Sequence, residues 1–178
     1  MKRIISTFIM IFITLAQNNQ ILKPISISKE EYKSRRNALL EKHPDAPIVM
    51  MGNVLRNRIN DCDYEFRQES NFLYLTGFNE PNAYLILSKK PMMIQGKLVN
   101  EVLFVPESDP VSMTWTGKRL GTAGAMRDLG LELALPSFEK QKVRFAPPKN
   151  LFEETIQTLA DKFQSYYVTT PIFHNDGF

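Results

Sequence analysis

Cysteine and histidine are scarce in this 178-residue sequence, which contains one cysteine and two histidines. Cys62 alone cannot form a disulfide within the chain, and a structural zinc site made of several cysteines is excluded. A catalytic metal site that needs three histidines is excluded for the same reason. The sequence also lacks a glycine-rich phosphate-binding loop, a Gly-x-Ser-x-Gly nucleophile motif and a His-Glu-x-x-His zinc motif. The residues by themselves therefore reveal no catalytic machinery.

An excess of charge of one sign is also missing. The chain has 22 basic and 19 acidic side chains, a formal net charge of +3, and two of the basic residues, Lys2 and Arg3, belong to a predicted leader. This balance does not favour nucleic acid or an anionic membrane surface as a partner. With 43% hydrophobic and 23% charged residues, the composition is typical of one soluble globular domain with its own core.

The leader follows a three-part pattern. Lys2 and Arg3 precede an apolar run over 4–16, which ends with small residues at Thr14 and Ala16 before a polar stretch. This pattern is typical of a secretory signal peptide, and the run is shorter than the ~20 residues of a membrane-spanning helix. We predict a signal peptide over 1–16, an exported leader segment over 17–27 and a domain over 28–178. The mature protein would be periplasmic or secreted and free of the membrane; an uncleaved anchor is the alternative.

Helix signals appear at three places after the leader. Ser28 and Glu31 form a capping box for a helix that Pro44 ends, with Arg36 among the polar residues expected away from its apolar face. Ser70 is the predicted cap of a short helix over 71–76, and Gly77 suits the left-handed position that closes it. Asn150 and Glu153 form a second capping box before an amphipathic stripe that runs to Phe163.

Short apolar runs predict strands at 48–51, 83–87, 92–94, 99–105 and 166–168. Gln95-Gly96 lies between two of them and predicts a hairpin. Strands that alternate with helices and include a hairpin indicate an α/β domain with a mixed β-sheet flanked by helices. The polar stretch from Arg56 to Asp63 is predicted to be a turn-rich loop.

Candidate chemical groups are few. His43 lies at a predicted helix C-terminus, where an imidazole interacts favourably with the last carbonyl groups, and His174 lies in the final residues. Asp61 and Asp63 flank Cys62, and alternate residues of an extended segment would point the same way. Two carboxylates are too few to hold a hard cation, so a solvated turn is the preferred interpretation.

The middle of the chain nevertheless resembles a known family. The sequence Phe-Arg-Gln-Glu-Ser-Asn-Phe at 66–72, followed by Tyr-Leu-Thr-Gly-Phe-Asn-Glu-Pro at 74–81, is similar to the signature of the aminopeptidase P N-terminal domain. Downstream, Trp-Thr-Gly-Lys-Arg-Leu-Gly at 115–121 arrives in the order and spacing of that family. These are the Xaa-Pro aminopeptidases among the pita-bread metallopeptidases, related to prolidase and creatinase.

The resemblance implies a creatinase-like fold for this domain and a division of labour. Family members remove the residue before a proline at position two, using two divalent metals, typically manganese, held by two Asp, one His and two Glu in a C-terminal domain. This sequence does not contain that ligand set, so it should be inactive alone. We expect an N-terminal domain that is incomplete at its C-terminus and that, in the full enzyme, shapes the cleft for proline-containing peptides and builds a homo-oligomer.

Two substrate-contacting positions carry over from the family. Trp115 matches a tryptophan that reaches towards the active site of a neighbouring subunit, and a packed core tryptophan is the other reading. Asp61 matches an acidic residue at the cleft edge. The remaining motif positions are expected to be architectural: Arg67, Gln68, Ser70, Gly77, Glu80 and Pro81.

A second class of function stays open. The chain could be an exported, stand-alone binding or assembly module that kept the fold without the enzyme. A reading frame that continues past Phe178 with the spaced Asp, Asp, His, Glu and Glu ligands would favour the peptidase.

Overall fold

The computed structural model describes residues 26–139, 149–160 and 167–169, which form a five-stranded sheet, two small sheets and five helices. The helices are α1 Lys29–Lys42, α2 Ser70–Thr76, α3 Pro110–Thr116, α4 Gly121–Leu129 and α5 Leu151–Ala160. The strands are β1 Ile48–Met51, β2 Asn57–Ile59, β3 Cys62–Asp63, β4 Tyr84–Ile94, β5 Lys97–Val105, β6 Leu133–Pro136, β7 Phe138–Glu139, β8 Lys149–Asn150 and β9 Tyr167–Thr169. The predicted leader over 1–16, Phe163 and His174 lie outside these residues. No helix within the described ranges is long and apolar enough to cross a bilayer.

The main sheet has the strand order β6-β5-β4-β1-β9 and is mixed, as predicted. The central pairs β1–β4 and β4–β5 are antiparallel, whereas β6 and β9 run parallel to their neighbours at the two edges. Gln95 and Gly96 have positive φ and form the predicted hairpin between β4 and β5. The two apolar runs expected as separate strands before that hairpin belong instead to the single strand β4, with an irregular register between Leu87 and Met92.

The two sheet faces carry separate apolar clusters because alternate strand residues point to opposite sides. One cluster joins Leu85, Leu103 and their neighbours to α1, α2 and α4. The other joins Ile86, Phe104 and their neighbours to α5, where Phe152 packs edge-on against Phe104. The sheet is therefore covered by helices on both faces in the described residues.

Both predicted capping boxes include the expected cap. The Glu31 amide donates to Ser28 Oγ at 3.2 Å, and the Glu153 amide donates to Asn150 Oδ1 at 3.2 Å. The prediction for α2 was wrong, because Glu69 and not Ser70 caps it: the Phe72 amide donates to Glu69 Oε2 at 2.6 Å. Ser70 is an exposed first residue of the helix.

Arg36 contradicts the expectation that it lies on a polar face of α1, since its side chain is fully buried. Its Nε and Nη2 donate to the two carboxylate oxygens of Glu101 at 2.5 and 3.2 Å. The same guanidinium donates to the carbonyl oxygens of Leu75 and Gly130, at 3.1 and 3.2 Å. This buried ion pair therefore ties α1 to β5, to the end of α2 and to the end of α4.

Candidate functional site

The sequence motifs meet at one end of the main sheet. Met51, the last residue of β1, pairs with Tyr84, the first residue of β4, and Tyr84 pairs with Phe104 near the end of β5. Val105 in turn pairs with Pro136 at the end of β6. We call this end of the sheet the motif edge. The connection between β1 and β4 begins and ends at this edge and carries the first family motif, residues 66–81. The connection between β5 and β6 begins there and carries the second motif, residues 115–121.

Gln68 is the buried centre of the motif edge, with 3% of its surface exposed. Its Oε1 accepts hydrogen bonds from the amides of Asn53 and Glu69, at 2.7 and 3.0 Å. Its Nε2 donates to the carbonyl oxygens of Phe78 and Glu80, at 3.2 and 2.9 Å. One side-chain amide thus joins the segment after β1 to the beginning of α2 and to the turn before β4, an arrangement that fits the architectural role predicted for Gln68.

Glycine is required at two positions around Gln68. A Cβ at Gly52 would lie 3.0 Å from Gln68 Oε1 and 3.1 Å from the Ala83 carbonyl oxygen. Gly77 closes α2 with φ of +71°, as predicted, and a Cβ there would lie 2.5 Å from the ring of Tyr32. Both sites allow the backbone to approach a neighbour more closely than an alanine would permit.

Glu80 joins the two motif blocks across 40 residues of sequence. Its Oε1 accepts a hydrogen bond from the Leu120 amide at 2.8 Å. Its Oε2 is buried without a hydrogen-bond partner among the described residues, and Arg119 Nη1 lies 3.8 Å from it. The Asn-Glu-Pro turn therefore holds the Arg-Leu-Gly end of the second motif. This contact was not predicted from the sequence.

The remaining residues predicted to be architectural differ in burial and in the contacts of their side chains. Pro81 is buried in the turn before β4. Arg67 was expected to bond within the domain, but its side chain is exposed and its backbone carbonyl oxygen accepts from Asn53 Nδ2 at 2.8 Å. Ser70 likewise does not have the capping role predicted for it.

Trp115 has 88% of its surface exposed, so a packed core tryptophan is excluded. It lies near the end of helix α3, and Gly117 with φ of +73° follows the helix. A large indole held in solvent retains its apolar area for another surface.

Asp61 lies at the tip of a small exposed hairpin made of β2 and β3, where a loop had been expected. Asn60 has φ of +52° at the turn, and Asn57 Nδ2 donates to the Asn60 carbonyl oxygen at 2.7 Å. The hairpin exposes Ile59 and is followed by the exposed Tyr64. Asp61 and Trp115 thus lie in two separate connections, residues 52–83 and 106–132, that both begin at the motif edge.

A groove of about 630 Å³ lies elsewhere, between α1 and α2, with Ile48 and Met50 in its lining. The guanidinium of Arg35 in its wall stacks 4.2 Å from the centre of the Tyr74 ring. Neither Asp61, Trp115 nor the motif residues predicted to be architectural line it, although His43 does, so we place the candidate site at the motif edge.

The chain is similar to a known protein family over most of its length. A sequence profile described as "Aminopeptidase P, N-terminal domain" matches residues 32–144. The Xaa-Pro aminopeptidase of Haemophilus influenzae is 38% identical over 109 residues, which are 61% of this chain and 24% of that protein. Human Xaa-Pro aminopeptidase 3 is 36% identical over 120 residues, covering 61% of this chain and 23% of that protein.

Solved structures agree with the sequence matches. Escherichia coli aminopeptidase P with the inhibitor Pro-Leu superposes with a TM-score of 0.62 at 29% identity. The match covers 84% of this chain and 30% of that one. The chain thus spans about a quarter of the length of the curated relatives it matches.

Proposed function

The chain belongs to the family of aminopeptidase P N-terminal domains, and from this premise we propose that it serves an exported Xaa-Pro aminopeptidase as its non-catalytic N-terminal domain. Such an enzyme removes the first residue of a peptide whose second residue is proline. Three or more His, Cys, Asp or Glu side chains do not cluster anywhere in the described ranges, so these residues do not fit a metal pair. On this proposal the metal ions, manganese by family resemblance, belong to a catalytic domain elsewhere in the enzyme.

The observation that carries the proposal is the joining of the two family motifs at Gln68 and Glu80, with Trp115 exposed in the second motif. We infer that the motif edge faces the peptide cleft of an assembled homo-oligomer, in which a neighbouring subunit covers Trp115. The flat indole suits contact with a proline ring or a peptide backbone. Asp61 at the hairpin tip would supply a negative charge at the cleft edge, where it could attract the positively charged N-terminus of a peptide.

A chimeric enzyme tests this proposal. Residues 32–144 of this chain would replace the matching segment of E. coli aminopeptidase P. We expect manganese-dependent hydrolysis of Xaa-Pro peptides, and we expect none from the 178-residue chain alone supplied with manganese. Circular dichroism and size-exclusion chromatography would establish that the chimera is folded and assembled. A folded, assembled chimera without activity, or turnover by the chain alone, would contradict the proposal.

The variant Trp115→Ala makes the role of the indole measurable. Because Trp115 is exposed, the free energy of unfolding of the 178-residue chain should change by less than about 0.5 kcal/mol, compared with ~3–5 kcal/mol for a core aromatic residue. In the chimera, KM should rise more for longer peptides than for dipeptides, since a binding contact is lost and no metal ligand. Trp115→Phe, which keeps an aromatic ring, is the matched control. An equal effect on all peptide lengths would exclude this role.

A further inference from the structure

Helix α3 is only weakly attached to the domain by those of its side chains that the structure describes, which are all except Val111 and Ser112. Of the α3 side chains that the structure describes, none is buried, and none contributes to either apolar cluster. A seven-residue helix is also too short to be stable by itself. The attachments at the two flanks of α3 therefore bear directly on the orientation of Trp115.

A glutamate carboxylate makes polar contacts at each flank of α3. After α3, the Leu120 amide and the Arg119 guanidinium both face the carboxylate of Glu80, at 2.8 and 3.8 Å. Before α3, Glu107 accepts a hydrogen bond from Thr122 Oγ1 at 2.6 Å, which draws the beginning of this loop towards the residues that follow it. Glu80 differs from Glu107 because its backbone carbonyl oxygen is itself held by the buried Gln68.

We propose that Glu80 is the positioning residue for Trp115. Its carboxylate faces Arg119 and Leu120 after the helix that carries the indole, and its backbone carbonyl oxygen is held by the buried Gln68 at the end of the sheet. A Trp115 with a fixed direction loses less conformational entropy when it meets a partner surface. The consequence for peptide handling rests on the proposed function, whereas the positioning itself is a property of this chain and can be measured on it.

The experiment uses the fact that the chain contains one tryptophan, so that intrinsic tryptophan fluorescence reports on Trp115 alone. Time-resolved anisotropy of the 178-residue chain separates local motion of the indole from tumbling of the whole molecule. We expect Glu80→Ala to increase the amplitude of the fast local decay about twofold. Glu80→Gln should give a smaller increase, because an amide oxygen can still accept from Leu120 but no longer pairs with Arg119.

Glu132→Ala is the matched control. Glu132 also accepts a backbone hydrogen bond, from the Asn100 amide at 2.9 Å, and also faces a cation, with Lys33 Nζ at 3.7 Å. Glu132 lies after α4, outside residues 106–120 that include α3 and its flanks. Its loss should therefore leave the anisotropy of Trp115 unchanged even where it lowers the melting temperature. An unchanged fast decay in folded Glu80→Ala, or an equal change in Glu132→Ala, would overturn the proposal. If Glu80→Ala does not fold, the comparison of Glu80→Gln with Glu132→Gln decides in the same way.

A second measurement separates this proposal from the proposed function. In the chimera, Glu80→Ala should raise KM for longer peptides in the same direction as Trp115→Ala, and the double variant should show little further change. Normal peptide kinetics together with increased indole motion would count against the role of Trp115 in the enzyme and leave its positioning by Glu80 established. Unchanged indole motion would count against the positioning itself, whatever the kinetics.

Discussion

Replacement of Arg36 by methionine is expected to lower the free energy of unfolding by about 3–5 kcal/mol, because it leaves the carboxylate of Glu101 buried without its cation. The guanidinium is fully buried, and Glu101 is 3% exposed. The loss also removes the donors to the carbonyl oxygens of Leu75 and Gly130. In a chain of this size the melting temperature should fall by on the order of 10 °C. Urea denaturation followed by circular dichroism measures the effect.

Lys33→Met is the control for Arg36→Met, since Lys33 lies on the same helix and pairs with Glu132 at the surface. It should change the free energy of unfolding by less than about 0.5 kcal/mol. The double variant Arg36→Met, Glu101→Leu should be more stable than Arg36→Met, because no charge then remains buried. If Arg36→Met and Lys33→Met have similar stabilities, the buried ion pair does not hold the helices to the sheet as argued.

Gln68→Leu should have the second-largest effect, a loss of about 2–4 kcal/mol. Leucine has a similar volume but leaves two amides without an acceptor and two carbonyl oxygens without a donor, and each such buried group costs about 1–3 kcal/mol. Partial access of water to the motif edge keeps the total below the sum. Chemical denaturation measures the loss. Hydrogen exchange at the Asn53 and Glu69 amides, which donate to Gln68, should be faster in the variant.

Arg67→Leu provides a neighbouring control at an exposed side chain. It keeps the backbone carbonyl oxygen that accepts from Asn53, and its effect should stay within about 0.5 kcal/mol. Equal losses in Gln68→Leu and Arg67→Leu would show that the four hydrogen bonds of Gln68 are not what joins the loops of the motif edge.

Local features could be predicted because they depend on residues a few positions apart. The capping residues Ser28 and Asn150, the closing glycine Gly77 and the Gln95-Gly96 hairpin all lie where the sequence predicts them. The prediction of Ser70 as the N-cap of α2 was wrong, because it rested on the preference for serine at that position. The carboxylate of the preceding residue, Glu69, accepts the Phe72 amide instead.

Arg36 could have been placed correctly from its spacing. It lies four residues after Tyr32 and four before Leu40, and so on the face of α1 that packs on the sheet. Its charge instead led to the prediction that it lies away from the apolar face of α1. Glu101 lies two residues before Leu103 and four before Val105 in β5. All three side chains therefore share the sheet face that packs against α1. Each charge alone contradicts the usual preference for the surface, and only the pair makes burial tolerable.

The sequence by itself determined the family, the alternation of strands and helices, and the local caps and turns, since each depends on a short window of residues. Only the tertiary structure decided that the Glu80 carboxylate accepts from the Leu120 amide across 40 positions, and that Gln68 joins the segment after β1 to the turn before β4. It also decided that the connections that carry Asp61 and Trp115 begin at the same end of the sheet. The physical reason is strand register: the order and direction of β1, β4, β5 and β6 decide which loops share an edge. Buried polar groups can then be satisfied only by the partners that this register brings within hydrogen-bonding distance.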